Sequence, residues 1–320
     1  MLFEKKVVDM VLGRLLTRQD NPYGIFYFSP AHFPGLHAKA YDVKSSKGHD
    51  LKGFFYCYQG ADPGKLIVFD HGMGNGHRAY MREIETLCKA GFLVYSYDHT
   101  GCMASGGKHI GGFAQSLADL DDCITALKHE DFLRGRELCV VGHSWGGFST
   151  MNIGAIHREV KKIVSMSGFV SVERIVKQSL GALKAYTPAV VAAEQWENPR
   201  HSRYNGLESL DKTKAKVLLV YSQDDKTVLK SEHYDPLYSK FCDSDRVKFL
   251  LLNGKNHNPT YENESVIYKD DFFAKFQKAL KKGELATAEA RAEFFGKFDW
   301  WFMTKQDMEV WNQIFDFLKA

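Results

Sequence analysis

Gly142-His143-Ser144-Trp145-Gly146 places a serine between glycines two residues to either side. A serine hydroxyl is a weak nucleophile, and flanking glycines are what it needs if it sits in a strained turn where side chains would clash. Such a serine also needs a base, itself oriented by an acid. Downstream stand Asp224-Asp225-Lys226-Thr227-Val228 and then Lys255-Asn256-His257. The chain order is therefore Ser, Asp, His, with Ser144 as nucleophile and His257 as base. Adjacent carboxylates cannot both aim at one imidazole, so one of Asp224 and Asp225 is the orienting acid. The chemistry expected is acyl transfer through a covalent acyl-enzyme.

The tetrahedral oxyanion of that reaction requires preorganised N–H donors. The backbone of Trp145, directly after the nucleophile, is one candidate. The other is Met73, in His71-Gly72-Met73-Gly74-Asn75-Gly76. There Gly72 and Gly74 let the backbone approach a ligand, as Gly142 and Gly146 free the turn around Ser144.

These residues need strands to aim them. LIVFDHG (66–72), FLVYSYD (92–98), ELCVVGHS (137–144), KKIVSMSG (161–168) and KVLLVYSQ (216–223) are short, nearly continuous apolar runs. Strands buried on both faces of a parallel sheet read this way. Helical stretches separate the first four runs, the pattern of βαβ units wound into an open sheet. DRVKFLLLNG (245–254) reads as a further strand followed by helix. Ser144, Asp225 and His257 all follow strand ends, where ligands bind in such sheets. Ahead of them, residues 24–59 alternate apolar and polar, as in GIFYFSP, LHAKAYDV and LKGFFYCY, which predicts antiparallel strands.

The stretch Asp98–Gly107, His71-Gly72, the GHSWGG turn, Asp225-x-x-Val228 and His257 together resemble the α/β-hydrolase superfamily, in its serine-aminopeptidase and monoglyceride-lipase-like branch. The resemblance covers roughly 40–260 plus the last helix. It implies an α/β fold with a mostly parallel central sheet flanked by helices and a helical cap insertion. It also implies the Ser-His-Asp triad, with Val228 favouring Asp225 as the acid, and an oxyanion hole. That branch carries a D-x-x-G…S-x-G element, here Asp98, Gly101, Ser105 and Gly106, and follows the Asp with Arg-Gly where this chain has His99-Thr100-Gly101. The core is then 1–169 with 204–320. The cap is 170–203, where an apolar face could line an acyl pocket or simply cover the sheet. A second helical insertion, 260–304, precedes the final helix, and its aromatics at 294–302 are expected to pack.

Composition narrows the partners. The net charge is +3, with 42 basic and 39 acidic residues, and no run of five like charges occurs, so neither nucleic acid nor an anionic membrane is implied. The opening MLFEKKVVDMVLGRLL lacks the apolar core of a signal peptide, and no stretch reaches the roughly 18 apolar residues of a membrane span. Six cysteines without a C-x-x-C pair read as reduced structural thiols. A cytoplasmic enzyme without cofactor or metal is expected, acting on a small acyl ester or amide. Near-neutral charge and abundant aromatics favour an uncharged or apolar acyl group. Carboxylesterase or lipase activity leads, with aminopeptidase and thioesterase using the same machinery. A catalytically inactive binding protein is the rival of another class. A dinucleotide site at LIVFDHGMGNGH lacks the third glycine, and Gly60-x-x-x-Gly64-Lys65 is one residue short of a P-loop.

Overall fold

The computed structural model describes residues 6, 11, 13, 15–21, 23–25, 27–61, 64–74 and 76–320. Most of the opening segment read for a signal, Phe26 of GIFYFSP, and Asn75 of the loop 71–76 lie outside them.

The apolar runs form strands β5 (Lys65–Asp70), β6 (Leu93–Tyr97), β7 (Glu137–His143), β8 (Val160–Met166), β9 (Lys216–Ser222) and β10 (Val247–Leu252). With β1 (His37–Ala40) and β4 (Gly53–Cys57) they make an eight-stranded sheet, ordered β1-β4-β6-β5-β7-β8-β9-β10. β1 and β4 pair antiparallel and the rest of the sheet from β6 onward is parallel. β2 (Val43–Lys44) and β3 (Asp50–Leu51) form a separate ribbon. This is the α/β-hydrolase architecture that the sequence resemblance implies.

Because side chains alternate across a strand, each central strand feeds two cores. Leu66, Val68, Val140, Val217 and Leu219 join one apolar cluster, with the helices Gln115–Leu127 and Trp145–Ile153. Ile67, Phe69, Val141, Leu218 and Val220 join the other, with the helices Met81–Lys89 and Met308–Lys319. Burial on both faces explains the unbroken apolar runs.

Three expectations meet a different outcome or a sharper one. GIFYFSP carries no strand among its described residues. Phe28 is buried and rests 4.9 Å from the Trp301 ring, and Pro30 begins a short 3₁₀ turn, so the alternation reflects anchoring of an irregular segment. The stretch 170–203 is helical over Val172–Leu180 and Thr187–Glu197. Its apolar residues Val172, Ile175, Val176, Leu180 and Val190 are buried in the first core cluster, so that face is turned into the core. Within 260–304 the helices Asn263–Lys281 and Ala288–Phe295 enclose a third cluster, where Phe272 and Phe276 meet the partly buried Phe294, Phe295 and Phe298. All six cysteines are free thiols, four of them buried. Among the described residues, no helix is long and apolar enough to cross a membrane.

Candidate active site

β7 delivers Ser144 into a sharp turn before the helix Trp145–Ile153, with φ 57° and ψ −110°. Left-handed backbone at a non-glycine residue costs roughly 1–3 kcal/mol and persists only when neighbours hold it. The Ser144 N–H donates to the Met166 carbonyl (2.8 Å), tying the turn to β8. A side chain at Gly142 would come within 2.3 Å of the Gly146 carbonyl oxygen, and one at Gly146 within 2.0 Å of that of Asp70. The glycines are therefore demanded by close backbone approach.

His257 Nε2 lies 2.8 Å from Ser144 Oγ, and its Nδ1 lies 2.8 Å from Asp225 Oδ2. Asp225 is buried, and its Oδ1 accepts the N–H groups of Thr227 (2.8 Å) and Val228 (2.9 Å). Asp224 points elsewhere. Its Oδ1 accepts from Ser222 Oγ (2.5 Å) and the Gly254 N–H (3.0 Å), and its Oδ2 accepts from the Asn256 N–H (3.2 Å). One carboxylate reaches the imidazole and its neighbour ties β9 to the loop that carries it.

That loop is fastened residue by residue. The Lys255 ammonium pairs with Asp307 (2.6 Å), and Asn256, at φ 43°, is held by Asp224. The His257 carbonyl accepts from His143 Nε2 (2.6 Å), and Asn258 Oδ1 accepts from Lys269 Nζ (2.7 Å). His143 Nδ1 in turn accepts from the Tyr80 hydroxyl (2.9 Å). Burial, then the neighbouring His257, pushes the His143 pKa well down, so it stays neutral and keeps this tautomer. His143 stands inside the glycine-flanked motif, yet only the fold reveals it as a support for the His257 loop.

The loop 71–76, expected to supply an oxyanion donor, is also fastened. Gly74 adopts φ 112°, and Met73 lines the cavity into which Ser144 opens. The His71 ring bonds the Gly72 carbonyl (2.6 Å) and accepts from the His99 N–H (3.1 Å). Burial, then the charge on His99, pushes His71 down to about 3, which keeps it neutral. Asp98 receives the His77 N–H (2.9 Å) and His77 Nδ1 (2.7 Å), anchoring the loop from β6. Trp145 heads its helix, and its indole N–H donates to the Phe113 carbonyl (2.6 Å).

Beneath the turn lies a buried charge cluster. His99 Nε2 is 2.7 Å from Asp70, and its Nδ1 is 3.1 Å from Asp119. Burial opposes its charge, but the two carboxylates outweigh that and hold the imidazolium up at about 10. The position that departs from the expected Arg-Gly thus still carries a cation. His99→Gln should cost about 3–5 kcal/mol in urea unfolding, because it leaves buried carboxylates uncompensated. The folded pKa lies above the ordinary value of about 6.5, so this contribution is complete below that pH and is lost as pH rises toward 10. Wild-type stability should therefore fall by up to about 1.4 kcal/mol per pH unit across that window from this group. The variant should lack that component, and equal slopes would place the proton elsewhere.

The cavity at Ser144 has a volume of about 310 Å³. Besides the residues named above, its walls are Tyr261, Lys269 and Phe273, with Ala79 and Thr227. Of the two readings of 170–203, the pocket wall is not supported: none of its side chains lines this cavity, and Tyr261, Lys269 and Phe273 come from the second insertion. Among the described residues, no group of three or more His, Cys, Asp or Glu side chains could hold a metal ion.

A family model described as serine aminopeptidase S33 matches residues 61–264. Among solved structures, an esterase of Pyrococcus furiosus matches with TM-score 0.60 and 19% identity, covering 82% of this chain and 98% of its own. An acylaminoacyl peptidase of Pyrococcus horikoshii matches at TM-score 0.53 and 15% identity, over 71% of this chain and 38% of its own. A putative dienelactone hydrolase of Klebsiella pneumoniae matches at TM-score 0.52 and 15% identity, over 83% and 98%. At these identities the structural likeness speaks for the fold.

Proposed function

Since this chain belongs to the serine aminopeptidase S33 family of α/β hydrolases, we propose that it is a serine hydrolase cleaving a carboxylic ester or related acyl bond through an acyl-enzyme. The observation that carries this reading is the unbroken line Ser144 Oγ–His257 Nε2 and His257 Nδ1–Asp225, each contact 2.8 Å. Ser144 Oγ attacks the carbonyl carbon as His257 Nε2 takes its proton. The Met73 and Trp145 N–H groups receive the developing oxyanion, with the N-terminus of the helix Trp145–Ile153 adding a favourable dipole. The imidazolium, oriented by Asp225, protonates the leaving group. Water then enters, His257 takes its proton, and collapse of the second tetrahedral intermediate frees Ser144 and the acid.

Ester cleavage is preferred over aminoacyl-amide cleavage on electrostatic grounds. An α-ammonium group needs an anionic partner when desolvated. The cavity wall holds Lys269 and, among the described residues, no carboxylate. Its volume of about 310 Å³ also sits at the low end for ligand sites, which favours a compact acyl group.

The test is labelling by a fluorophosphonate together with a series of p-nitrophenyl esters of increasing length, set beside aminoacyl amides. Labelling with turnover of short esters is expected. No labelling would favour the inactive binding protein, and preferential amide turnover would favour the aminopeptidase. The oxyanion assignment has its own check. Met73→Pro removes one N–H and should cost about 10²–10³ in kcat, whereas Met73→Leu keeps the donor and should be mild. Equal losses in steady-state kinetics would mean that the donor lies elsewhere.

A further inference from the structure

The helix Asn263–Lys281 puts one cation into the wall of the cavity that holds Ser144 and His257. Lys269 is half-buried there, beside Met73, Tyr80, Tyr261 and Phe273. Its Nζ donates to Asn258 Oδ1 (2.7 Å) and lies 4.7 Å from the centre of the Tyr261 ring. These contacts fix the direction of a long side chain whose ordering would otherwise cost entropy. An aliphatic residue would line an apolar wall at lower desolvation cost. The ammonium has Glu83 as a charged neighbour, and its place in the wall beside Ser144 also presents that charge to whatever enters the cavity.

Resting on the serine-hydrolase reading above, we infer that Lys269 recognises a negative charge on the substrate, so that the preferred acyl compounds carry a carboxylate near the scissile bond. A carboxylate brought into this partly desolvated cavity gains a charge-assisted hydrogen bond. A substrate ammonium there is repelled. The inference departs from the uncharged acyl group that composition suggests, because overall charge balance does not report where single charges sit. The competing role for Lys269 is support alone, holding Asn258 and with it the loop of His257. Support would act on every substrate alike.

Burial pushes the Lys269 ammonium down to about 8, while Glu83 and Asp270 oppose that loss of charge. The groups facing it are Glu83 from the helix Met81–Lys89, Asp270 beside it, Tyr261, and His143 at the nucleophile turn. A lysine is charged below its pKa, so charge recognition is present at neutral pH and fades as pH rises through about 8. The experiment compares kcat/KM for mono-p-nitrophenyl glutarate and for neutral p-nitrophenyl valerate, in wild type, Lys269→Met and Lys269→Arg. The ratio of the two cancels any shared effect on His257 or on folding. Lys269→Met should lower the charged-to-neutral ratio about 10–100-fold, and Lys269→Arg should keep most of it. The wild-type ratio should fall above pH 8 and stay flat in Lys269→Met. Parallel loss on both esters, or a wild-type ratio indifferent to pH with Lys269→Met unstable, would overturn the inference and leave the hydrolase reading standing. Absence of both ester turnover and fluorophosphonate labelling in wild type would overturn the hydrolase reading, and the inference with it.

Discussion

Ser144→Ala should lower kcat for ester hydrolysis by on the order of 10⁶, the loss measured when the serine of a comparable triad is removed, and should abolish fluorophosphonate labelling. The expected size follows from geometry. The hydroxyl is the atom 2.8 Å from His257 Nε2, and among the described residues no other side-chain oxygen lies within hydrogen-bond distance of that nitrogen. The fold should survive, because the turn is held by the Ser144 N–H to Met166 and by the Gly142 and Gly146 contacts, none of which involves the hydroxyl. Circular dichroism and a urea midpoint close to wild type would establish that. An alanine variant retaining a tenth of wild-type turnover would end the assignment.

The strands and the candidate reacting groups were legible in the sequence for one shared reason: both are local. A strand buried on two faces is apolar at most positions, so β5 to β9 stand out despite single polar residues such as Ser96 and Ser165. The turn at Ser144 must have glycines at 142 and 146, because backbone lies within 2.3 Å of where a side chain would start. What composes the cavity is not local. Lys269 and Phe273 lie four residues apart on a helix with charge at many other positions, the ordinary look of a solvated face. Only the docking of that helix beside Tyr80 and His257 turns two of its residues toward Ser144. The same limit explains 170–203, where an apolar stripe marks a buried face but cannot name what buries it. It explains His143 too: its ring position depends on Tyr80 and on a carbonyl 114 residues away. GIFYFSP failed in the opposite direction: Ile25 and Phe28 are buried and Tyr27 is exposed, so its apolar residues record anchoring points and not a strand's period of two.

The proposed acid of the triad, Asp225, gives the second large effect. Asp225→Asn keeps the size of the side chain but replaces an acceptor with an amide, which can hold the imidazole in the wrong tautomer. That loss is about 10⁴ in kcat where the exchange has been studied, so about 10³–10⁴ is expected here. Asp225 Oδ1 is already engaged by the Thr227 and Val228 N–H groups. The amide oxygen should therefore settle there and turn its NH₂ toward His257 Nδ1, the orientation that most disfavours the reactive tautomer. Asp224→Asn should behave differently. All of its contacts are with donors, from Ser222, Gly254 and Asn256. An amide presents its own donor to at least one of them, but Asp224 is exposed and water can serve the group left over, so the variant should lose no more than about 1 kcal/mol of stability. Its kcat should stay within about tenfold of wild type, since the His257 tautomer is set by Asp225 and the His257 backbone remains held by His143. Steady-state kinetics and urea unfolding on the two variants separate the roles. A rate loss concentrated in Asp224→Asn would transfer the orienting role to that residue. Small rate effects in both would mean that His257 is oriented by its backbone clamp alone.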